Sequence, residues 1–363
     1  MKIGIVTIYD GNNMGSFLQA VALKETLESF GHNVFFVQRM TEDENYKLFV
    51  SRPFSKPRPF PLNYLANFKR AIVNKKEDIK KKEEIKNIYS VLKKERKGLP
   101  LIKVSEIDKI DLLICGSDEI WNFNNTSISV PFYTCCNFGK NIKKIAFAVS
   151  IGTSSAQNFK TNHNVITSLA SFSSIYVRDN HSKKVIDQVL GNDHSIVCDP
   201  TLLIRKDYFV KENTKIIEEP YLMVYAYELN KQESDYINSF AKDKGLAIVS
   251  VLHYLSIADK IVTESPYNFA NLILNASYCY TSTFHGTIFC TLFAKKFIYR
   301  ARRPKVKEIA EYLEITDREW TDGNYQAFES LMNSDVNRLQ IDCRLENIRE
   351  NNLQILERII NQG

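Results

Sequence analysis

Short apolar runs with strand character alternate with longer segments of helical periodicity along most of this chain. The first run spans residues 3–8 and a helical segment over residues 17–30 follows, after which Gly31 stands where a left-handed residue commonly ends a helix. A second run, residues 34–38, completes a β-α-β unit. This alternation is typical of parallel sheets covered by helices, so we predict an α/β fold.

Eight further runs repeat the strand pattern: residues 111–115, 145–150, 174–177, 195–198, 221–226, 247–251, 277–281 and 297–299. A chain of 363 residues exceeds what one core commonly organises, so we predict two Rossmann-like, doubly wound domains facing a cleft. The expected first domain covers residues 1–168, with a basic helical insertion at about residues 64–97, and the second covers residues 169–335. A last helix within residues 336–363 packs on either domain. Residues 52–61 contain four prolines and are predicted to form a loop.

The net charge of +6 is concentrated in one segment. Between Lys69 and Lys97 there are twelve Lys and Arg residues against five Asp and Glu residues, which leaves the rest of the chain near neutrality. No extended basic surface is therefore expected, and we do not expect a nucleic-acid partner. A solvated helix face is the simpler interpretation of the segment. Association with an anionic membrane surface or an anionic substrate is the alternative.

Cysteine usage and the first residues bear on the cellular compartment. The seven cysteines include no C-x-x-C pair and mostly lie in apolar runs, which is typical of reduced core residues. The sequence starts directly with a strand-like run and has no stretch of 18 uninterrupted apolar residues. We expect a cytoplasmic protein that does not span a membrane, located at the inner membrane face if the basic segment binds lipid.

Two loops that follow predicted strands of the first domain carry polar residues suited to binding. Residues 10–16 form a Gly-bearing turn into a helix, where backbone N–H groups can meet an anion or a sugar hydroxyl, although an ordinary turn capped by Ser16 would look the same. In residues 115–121 an Asp can accept a sugar hydroxyl and a Trp can offer a ring face, although a buried Trp beside a capping Asp is the alternative. The residues of these two loops expected to bind a sugar are Asn13, Gly15, Gly116, Ser117, Asp118 and Trp121, and they become the acceptor-binding residues under the family resemblance given below.

A third loop, residues 277–287, runs from a strand through hydroxyl side chains to His285 and Gly286 at the start of an apolar helix. Anions bind at helix N-termini, so an imidazole that transfers protons is chemically sensible there. The alternative is a packed histidine with a hydroxyl partner. Surface positions are predicted for the other histidines: His32, His163, His181, His194 and His253.

Five segments in order resemble motifs of the polysaccharide pyruvyl transferase family over most of the chain. They are Asn13-Met14-Gly15-Ser16 with Leu18-Gln19-Ala20, Gly116-Ser117-Asp118-Glu119-Ile120-Trp121, Val177-Arg178-Asp179, Asp199-Pro200-Thr201-Leu202, and Thr283-Phe284-His285-Gly286. The resemblance implies a GT-B-like pair of domains, phosphoenolpyruvate as the donor substrate, and neither a cofactor nor a metal. The donor would bind mainly to the second domain.

The resemblance also implies roles for individual residues. His285 resembles the family's catalytic histidine, and Arg178 resembles an arginine that binds the donor's phosphate or carboxylate. One branch of the family has Arg where this chain has Thr283, so Arg300, Arg302, Arg303 or Lys305 would supply the positive charge. Another branch has Asp where this chain has Ser282, which leaves the partner of His285 open. The expected donor-binding residues are Ser282, Thr283, Gly286, Thr287, Arg302 and Lys305.

The expected activity is therefore transfer of a pyruvyl group onto sugar hydroxyls, with ketal formation, in surface polysaccharide synthesis. The sugar acceptor could be free, nucleotide-bound or lipid-linked. A glycosyltransferase of the same architecture that uses a nucleotide sugar is the first alternative, because fold alone does not separate the two. An inactive sugar-binding relative is the second.

Overall fold

The computed structural model describes residues 1–50, 64–136, 138, 142–210 and 215–362 and contains two all-parallel sheets. The first sheet has seven strands: β1 (Lys2–Val6), β2 (Asn33–Gln38), β3 (Leu101–Lys103), β4 (Leu112–Cys115), β5 (Lys143–Val149), β6 (Ser174–Val177) and β7 (Ser195–Ile196). The second sheet has five: β8 (Tyr221–Tyr225), β9 (Ala247–Val251), β10 (Lys260–Val262), β11 (Tyr278–Thr281) and β12 (Phe297–Tyr299). The predicted α/β class is confirmed. The strands β3 and β10 were not predicted from the sequence.

The order of the strands fixes where ligands can bind. The first sheet runs β3-β2-β1-β4-β5-β6-β7 and the second runs β10-β9-β8-β11-β12. The direction of winding reverses between β1 and β4 in the first sheet and between β8 and β11 in the second. Open parallel sheets bind ligands outside the carboxyl ends of the strands at such reversals. The loops after these four strands are therefore the expected walls of a site.

Helices cover both sheets. The helices are α1 (Met14–Ser29), α2 (Glu42–Phe49), α3 (Tyr64–Arg96), α4 (Val130–Tyr133), α5 (Ala156–Lys160), α6 (His163–Leu169), α7 (Asn180–Leu190), α8 (Lys231–Lys244), α9 (Pro266–Asn275), α10 (Phe284–Leu292), α11 (Pro304–Tyr312), α12 (Tyr325–Asn333) and α13 (Arg338–Gln362). Local capping explains several of these ends. The side chain of Asn13 accepts from the Ser16 N–H at the start of α1, and Gly31 has the predicted left-handed backbone after it. Asn13, rather than Ser16, is thus the cap of α1.

The expected domain boundary at residues 168/169 is wrong. Strands β6 and β7 pair in parallel with the first sheet, so this sheet extends to Ile196. The second sheet begins at Tyr221, which places the boundary between these two residues. The boundary could not be read from the sequence, because the apolar pattern of β6 and β7 does not depend on the sheet with which they pair.

The basic insertion is a helix, as predicted, and α3 extends over 33 residues, of which the side chains up to residue 77 lie outside the described part. The predicted loop at residues 52–61 also lies outside the described residues. The C-terminal helix α13 packs on both domains: the Cys198 N–H donates to Asn352 Oδ1 at 2.9 Å, and Arg344 donates to the Leu313 carbonyl at 2.7 Å. No described helix is long and apolar enough to cross a membrane.

Candidate active site

Two helix N-termini, one from each domain, meet where the strand orders reverse. Asn13 caps α1 after β1, and Thr283 caps α10 after β11 by accepting from the Gly286 N–H at 3.1 Å. Gly15 in the first turn of α1 lies directly against the ring of His285, since a Cβ at Gly15 would lie 2.1 Å from His285 Nδ1. Only a residue without a side chain allows this contact between the domains. The first turns of α1 and α10 therefore form opposite walls of one site.

The imidazole of His285 is buried and faces a carboxylate. Its Nε2 lies 3.8 Å from Asp199 Oδ2 and has no hydrogen-bond partner among the described residues. The partner that the family comparison left open is thus Asp199, which follows β7 in the first domain. This contact joins the two domains.

Asp199 is held by several donors and carries a negative charge. Its side chain is 0% exposed and accepts from Arg178 Nη1 at 2.8 Å and from Thr201 Oγ1 at 2.8 Å. Burial alone would raise the pKa of Asp199, but His285 and Arg178 hold it well below the usual range of a carboxyl. An ionised Asp199 can stabilise a protonated imidazole at His285.

A second carboxylate, Asp118, joins the same network. Arg178 Nη2 lies 3.5 Å from Asp118 Oδ1, and Ser16 Oγ donates to Asp118 Oδ2. Burial would raise the pKa of Asp118, but Arg178 and His285 lower it. Arg178 also lies over the ring of Phe284, with its guanidinium carbon 4.3 Å from the ring centre.

Two cavities adjoin at this site. A small one of about 20 Å³ is lined by Asn13, Tyr225, Tyr227, Ser282, Thr283, Phe284, His285, Arg303, Lys305 and Val306. A groove of about 790 Å³ runs between the domains and is lined by Asn122, Asn124, Asn125 and Thr153 together with charged residues of both domains. Arg303 and Lys305 line both cavities, so the two are neighbours.

The two cations at the junction of the cavities differ in their partners. Lys305 Nζ lies 2.8 Å from Glu119 Oε1, across the cleft. Arg303 is exposed, lies over the ring of Tyr227 at 5.7 Å, and makes no ion pair with any residue in the described ranges. Arg303 is therefore the cation best placed to receive an anionic ligand.

Several residues expected to bind the donor substrate contact other residues of the protein instead. The side chain of Arg178 is 2% exposed and is occupied by Asp199 and Asp118, so its expected role in binding the donor directly is wrong. Arg302 pairs with Glu233 away from both cavities. Thr287 is buried inside α10, where its hydroxyl donates to the Thr283 carbonyl at 3.0 Å.

Of the remaining residues expected to bind the donor, one serves helix packing and three line the small cavity. A Cβ at Gly286 would lie 2.2 Å from Thr281 Oγ1, so this glycine serves the packing of α10 and not a ligand. Ser282, Thr283 and Lys305 line the small cavity with His285.

The expected acceptor residues also divide between the cleft and the core. Trp121 is 0% exposed and its indole N–H donates to the Tyr133 carbonyl at 3.0 Å, so the expectation that it offers a ring face to a sugar is wrong. Gly116 has a φ of 127°, and a Cβ there would lie 1.9 Å from the Phe147 carbonyl oxygen. Ser117 is buried and its hydroxyl donates to the Ala148 carbonyl.

Asn13 and Gly15 do lie at the cleft, and Asn13 Nδ2 donates to the Tyr227 hydroxyl at 3.4 Å. Asp118 is buried behind the first turn of α1, where its carboxylate contacts Arg178 and Ser16. The first wall of the site is thus built by α1 with Asp118 behind it.

Of the histidines predicted at the surface, one is buried and another is half-buried. His194 is buried against Asp187, at 2.7 Å from its ring Nδ1 to Oδ1. His253 stacks on the ring of Tyr225, and burial lowers its pKa to about 4. His181 is exposed and lines the groove, with its Nε2 donating to the Ser154 carbonyl at 2.8 Å.

Asp199 is the main residue whose role was missed. The motif Asp199-Pro200-Thr201-Leu202 was recognised, but its distance of 86 positions from His285 hides the contact, which depends on how the domains face each other. The available signal was its place directly after a strand-like run, where parallel sheets bind ligands.

Comparison with known proteins agrees with this architecture. The sequence profile of the family described as polysaccharide pyruvyl transferase matches residues 13–303. A search of curated proteins found no significant match.

Solved structures resemble the chain in fold. The UDP-GlcNAc 2-epimerase of Neisseria meningitidis, bound to UDP-GlcNAc, is 12% identical, with both chains fully covered (100% each) and a TM-score of 0.55. A glycosyltransferase of Rickettsia africae is 12% identical, with 100% of this chain and 99% of that chain covered and a TM-score of 0.52. A putative UDP-N-acetylglucosamine 2-epimerase of Listeria monocytogenes is 10% identical, with 98% and 91% covered and a TM-score of 0.51. At such identities the likeness shows a shared GT-B-like fold alone.

Proposed function

The chain belongs to the polysaccharide pyruvyl transferase family, and we propose that it transfers the pyruvyl group of phosphoenolpyruvate onto two hydroxyls of a sugar, forming a ketal. One observation carries the proposal for this site. A helix N-terminus, the imidazole of His285 and the cations Arg303 and Lys305 line one small cavity. That combination suits a small dianion that must receive a proton.

The donor's phosphate and carboxylate would be held by Arg303, Lys305 and the first-turn N–H groups of α10. An arginine forms paired, charge-assisted hydrogen bonds with either anionic group, and Arg303 makes no ion pair with a described residue. Lys305 would exchange its contact with Glu119 for one with the donor. Arg178 acts through Asp199, which it fixes from behind.

The reaction needs one proton delivered to carbon and two taken from hydroxyls. A proton is added to the methylene carbon of phosphoenolpyruvate, and the first sugar hydroxyl bonds to the central carbon and loses its proton. The bond from that carbon to the phosphate oxygen then breaks, and phosphate leaves and takes up one of the two protons lost by the hydroxyls. The second hydroxyl bonds to the same carbon and loses its proton, which yields the ketal and inorganic phosphate. We propose that His285 delivers the first proton, since ionised Asp199 stabilises its protonated form.

The family to which the chain belongs favours this donor over a nucleotide sugar, and the two donors can be distinguished by which of them stabilises the fold. The melting temperature should therefore rise with phosphoenolpyruvate and not with UDP-sugars. A rise with UDP-sugars alone would favour the glycosyltransferase alternative. No rise with phosphoenolpyruvate, together with binding of sugars, would favour an inactive relative.

We also propose that the protein binds membranes peripherally through α3, to reach a lipid-linked acceptor. Ile79 is 57% exposed in this basic helix. Lys80 Nζ lies 4.8 Å from the ring centre of Tyr254 in the second domain, so it faces the protein. The lipid-facing cations would be exposed residues such as Lys82 and Lys86.

A further inference from the structure

Buried polar atoms without a hydrogen-bond partner gather behind the loop between β1 and α1. Among the described residues, eight such atoms belong to six neighbouring side chains, which we call the Asp10 cluster: Asp10 (Oδ1 and Oδ2), Asn12 (Oδ1 and Nδ2), Arg39 (Nε), Asn45 (Oδ1), Arg96 (Nη1) and Tyr133 (OH). Protein interiors satisfy nearly all buried polar groups, so a local excess needs an explanation. The other place where such atoms meet is the active site, with Arg178 Nε and His285 Nε2.

These side chains come from five different parts of the first domain and meet around Asp10. Arg39, which follows β2, has its Nε 3.8 Å from Asp10 Oδ2. Asn45 of α2 donates from Nδ2 to the Asp10 carbonyl at 2.7 Å. The guanidinium of Arg39 lies 5.6 Å from the ring centre of Tyr133, at the end of α4. The cluster is thus assembled from separate elements of the fold, and each member has at least one buried polar atom without a hydrogen-bond partner among the described residues.

The charges of the cluster select an uncharged ligand. Arg39 and Arg96 carry two positive charges against the carboxylates of Asp10 and Glu42, and Arg96 Nε already pairs with Glu42 Oε1 at 3.1 Å. An anion would face Asp10, and a cation would face the two guanidinium groups. The unused atoms include both donors and acceptors, which hydroxyl groups can satisfy at once because each hydroxyl donates and accepts. Tyr9 and Tyr133 add apolar ring surface beside them.

The cluster lies on the same loops as the active site. The chain runs from Asp10 and Asn12 straight into Asn13 and Gly15, which form the first wall of the reaction cavity. On the other side, the indole of Trp121 donates to the Tyr133 carbonyl and so ties the cluster to the loop after β4. A ring bound at the cluster would therefore sit next to the reacting centre.

We propose that the Asp10 cluster binds an uncharged, hydroxylated sugar ring of the acceptor. Asp10 accepts from two hydroxyls of the ring, and Arg39 Nε and Arg96 Nη1 donate to its oxygens. The inference rests on the proposed function for identifying this sugar as the acceptor. The β1–α1 loop must open to admit the ring, since the unpaired atoms are buried in the present conformation.

Binding of sugars to the cluster can be measured without any donor. The probes are methyl glycosides of glucose, galactose, mannose and their N-acetylamino forms, titrated calorimetrically into the full chain. We expect at least one glycoside to bind. Tyr133→Phe removes only a hydroxyl that has no partner among described residues, so the melting temperature should hold while affinity falls about 3- to 10-fold. Asp10→Asn should weaken binding by about 10-fold or more, because charge-assisted hydrogen bonds are lost. Asp43→Asn, at an exposed carboxylate of α2, is the matched control and should bind like the parent.

Three results would overturn the inference. They are no binding of any glycoside to the parent chain, equal affinity in folded Tyr133→Phe, and a crystal structure with ordered water only at the cluster and the glycoside bound elsewhere. Failure of the proposed function gives a different pattern. In that case a glycoside still binds through the cluster, but it triggers no phosphate release from phosphoenolpyruvate. Conversely, glycoside-dependent release with an unchanged KM in Asp10→Asn would reject the sugar site and keep the activity.

Discussion

Replacing Asp199 with Asn removes the negative charge that lies between Arg178 and His285. The substitution keeps the size of the side chain and one carbonyl oxygen that can accept from Thr201. It leaves Arg178 with the more distant carboxylate of Asp118, at 3.5 Å, and the hydroxyl of Ser117, at 3.4 Å, as its remaining contacts in the network. The change therefore tests the electrostatic role of Asp199 with little change in shape.

Both stability and turnover should fall. Breaking one partner from a buried ion pair costs about 3 to 5 kcal/mol, and the retained contact with Asp118 places the expected loss near the lower end, at about 3 kcal/mol. Loss of the carboxylate that faces the imidazole proposed to transfer the proton should lower kcat by roughly 10²- to 10⁴-fold. Affinity for phosphoenolpyruvate should change little, since Asp199 does not line the small cavity.

The stability difference should also depend on pH. The pKa of Asp199 in the folded protein lies below its unfolded value because of His285 and Arg178, despite burial. Its contribution is therefore fully present above the unfolded pKa of about 4 and is lost as the pH falls below it. Denaturation of the two proteins should converge as the pH is lowered from about 4.

The assays are chemical denaturation and steady-state phosphate release. Asp335→Asn, at an exposed carboxylate paired with Lys296, is the control and should behave like the parent. A folded Asp199→Asn protein with kcat within threefold of the parent would refute the role assigned to Asp199.

Three further substitutions test other parts of the account. Gly15→Ala should lower kcat and the melting temperature together, because its methyl group would lie 2.1 Å from His285 Nδ1; normal kinetics would show that the two helix ends do not meet as described. Arg303→Ala should raise the KM for phosphoenolpyruvate about 10- to 100-fold through loss of a charge-assisted partner. The control Lys307→Ala, on the exposed face of α11, should leave the KM unchanged. Equal KM values in the parent and both variants would remove Arg303 from the donor site. Lys86→Glu should weaken binding to anionic vesicles about fivefold or more, since each basic residue near such a surface contributes about 1 kcal/mol; unchanged sedimentation would reject membrane association through α3.

The fold was largely predictable because its elements are long enough to show their periodicity. The run over residues 3–8 and the segment over residues 17–30 correspond to β1 and α1. Strands β3 and β10 are short edge strands with exposed positions and do not stand out as apolar runs, whereas the equally short β12 is fully buried and was predicted. The domain boundary was wrong because membership of a sheet depends on pairing between strands, which local sequence does not reveal.

The site was only partly predictable for a similar reason. His285 at the start of α10 and Asn13 at the start of α1 follow from strand, loop and helix order. Trp121 was assigned to a ligand on the basis of residue type and Arg178 on the basis of the family resemblance, but Trp121 is buried in the core and Arg178 in a carboxylate network. The contact of Asp199 with His285 depends on the apposition of two domains, and no local pattern encodes it.

The decisive measurement is phosphate release from phosphoenolpyruvate in the presence of sugar acceptors, with the acceptor weighed by mass spectrometry in the same reaction. Assignment as a pyruvyl transferase predicts that phosphate appears only with an acceptor, that each phosphate corresponds to one added carboxyethylidene group, and that His285→Ala loses both signals while it remains folded and still binds phosphoenolpyruvate. Acceptor modification that requires a UDP-sugar and proceeds without phosphoenolpyruvate would contradict it, as would full activity of the His285→Ala protein.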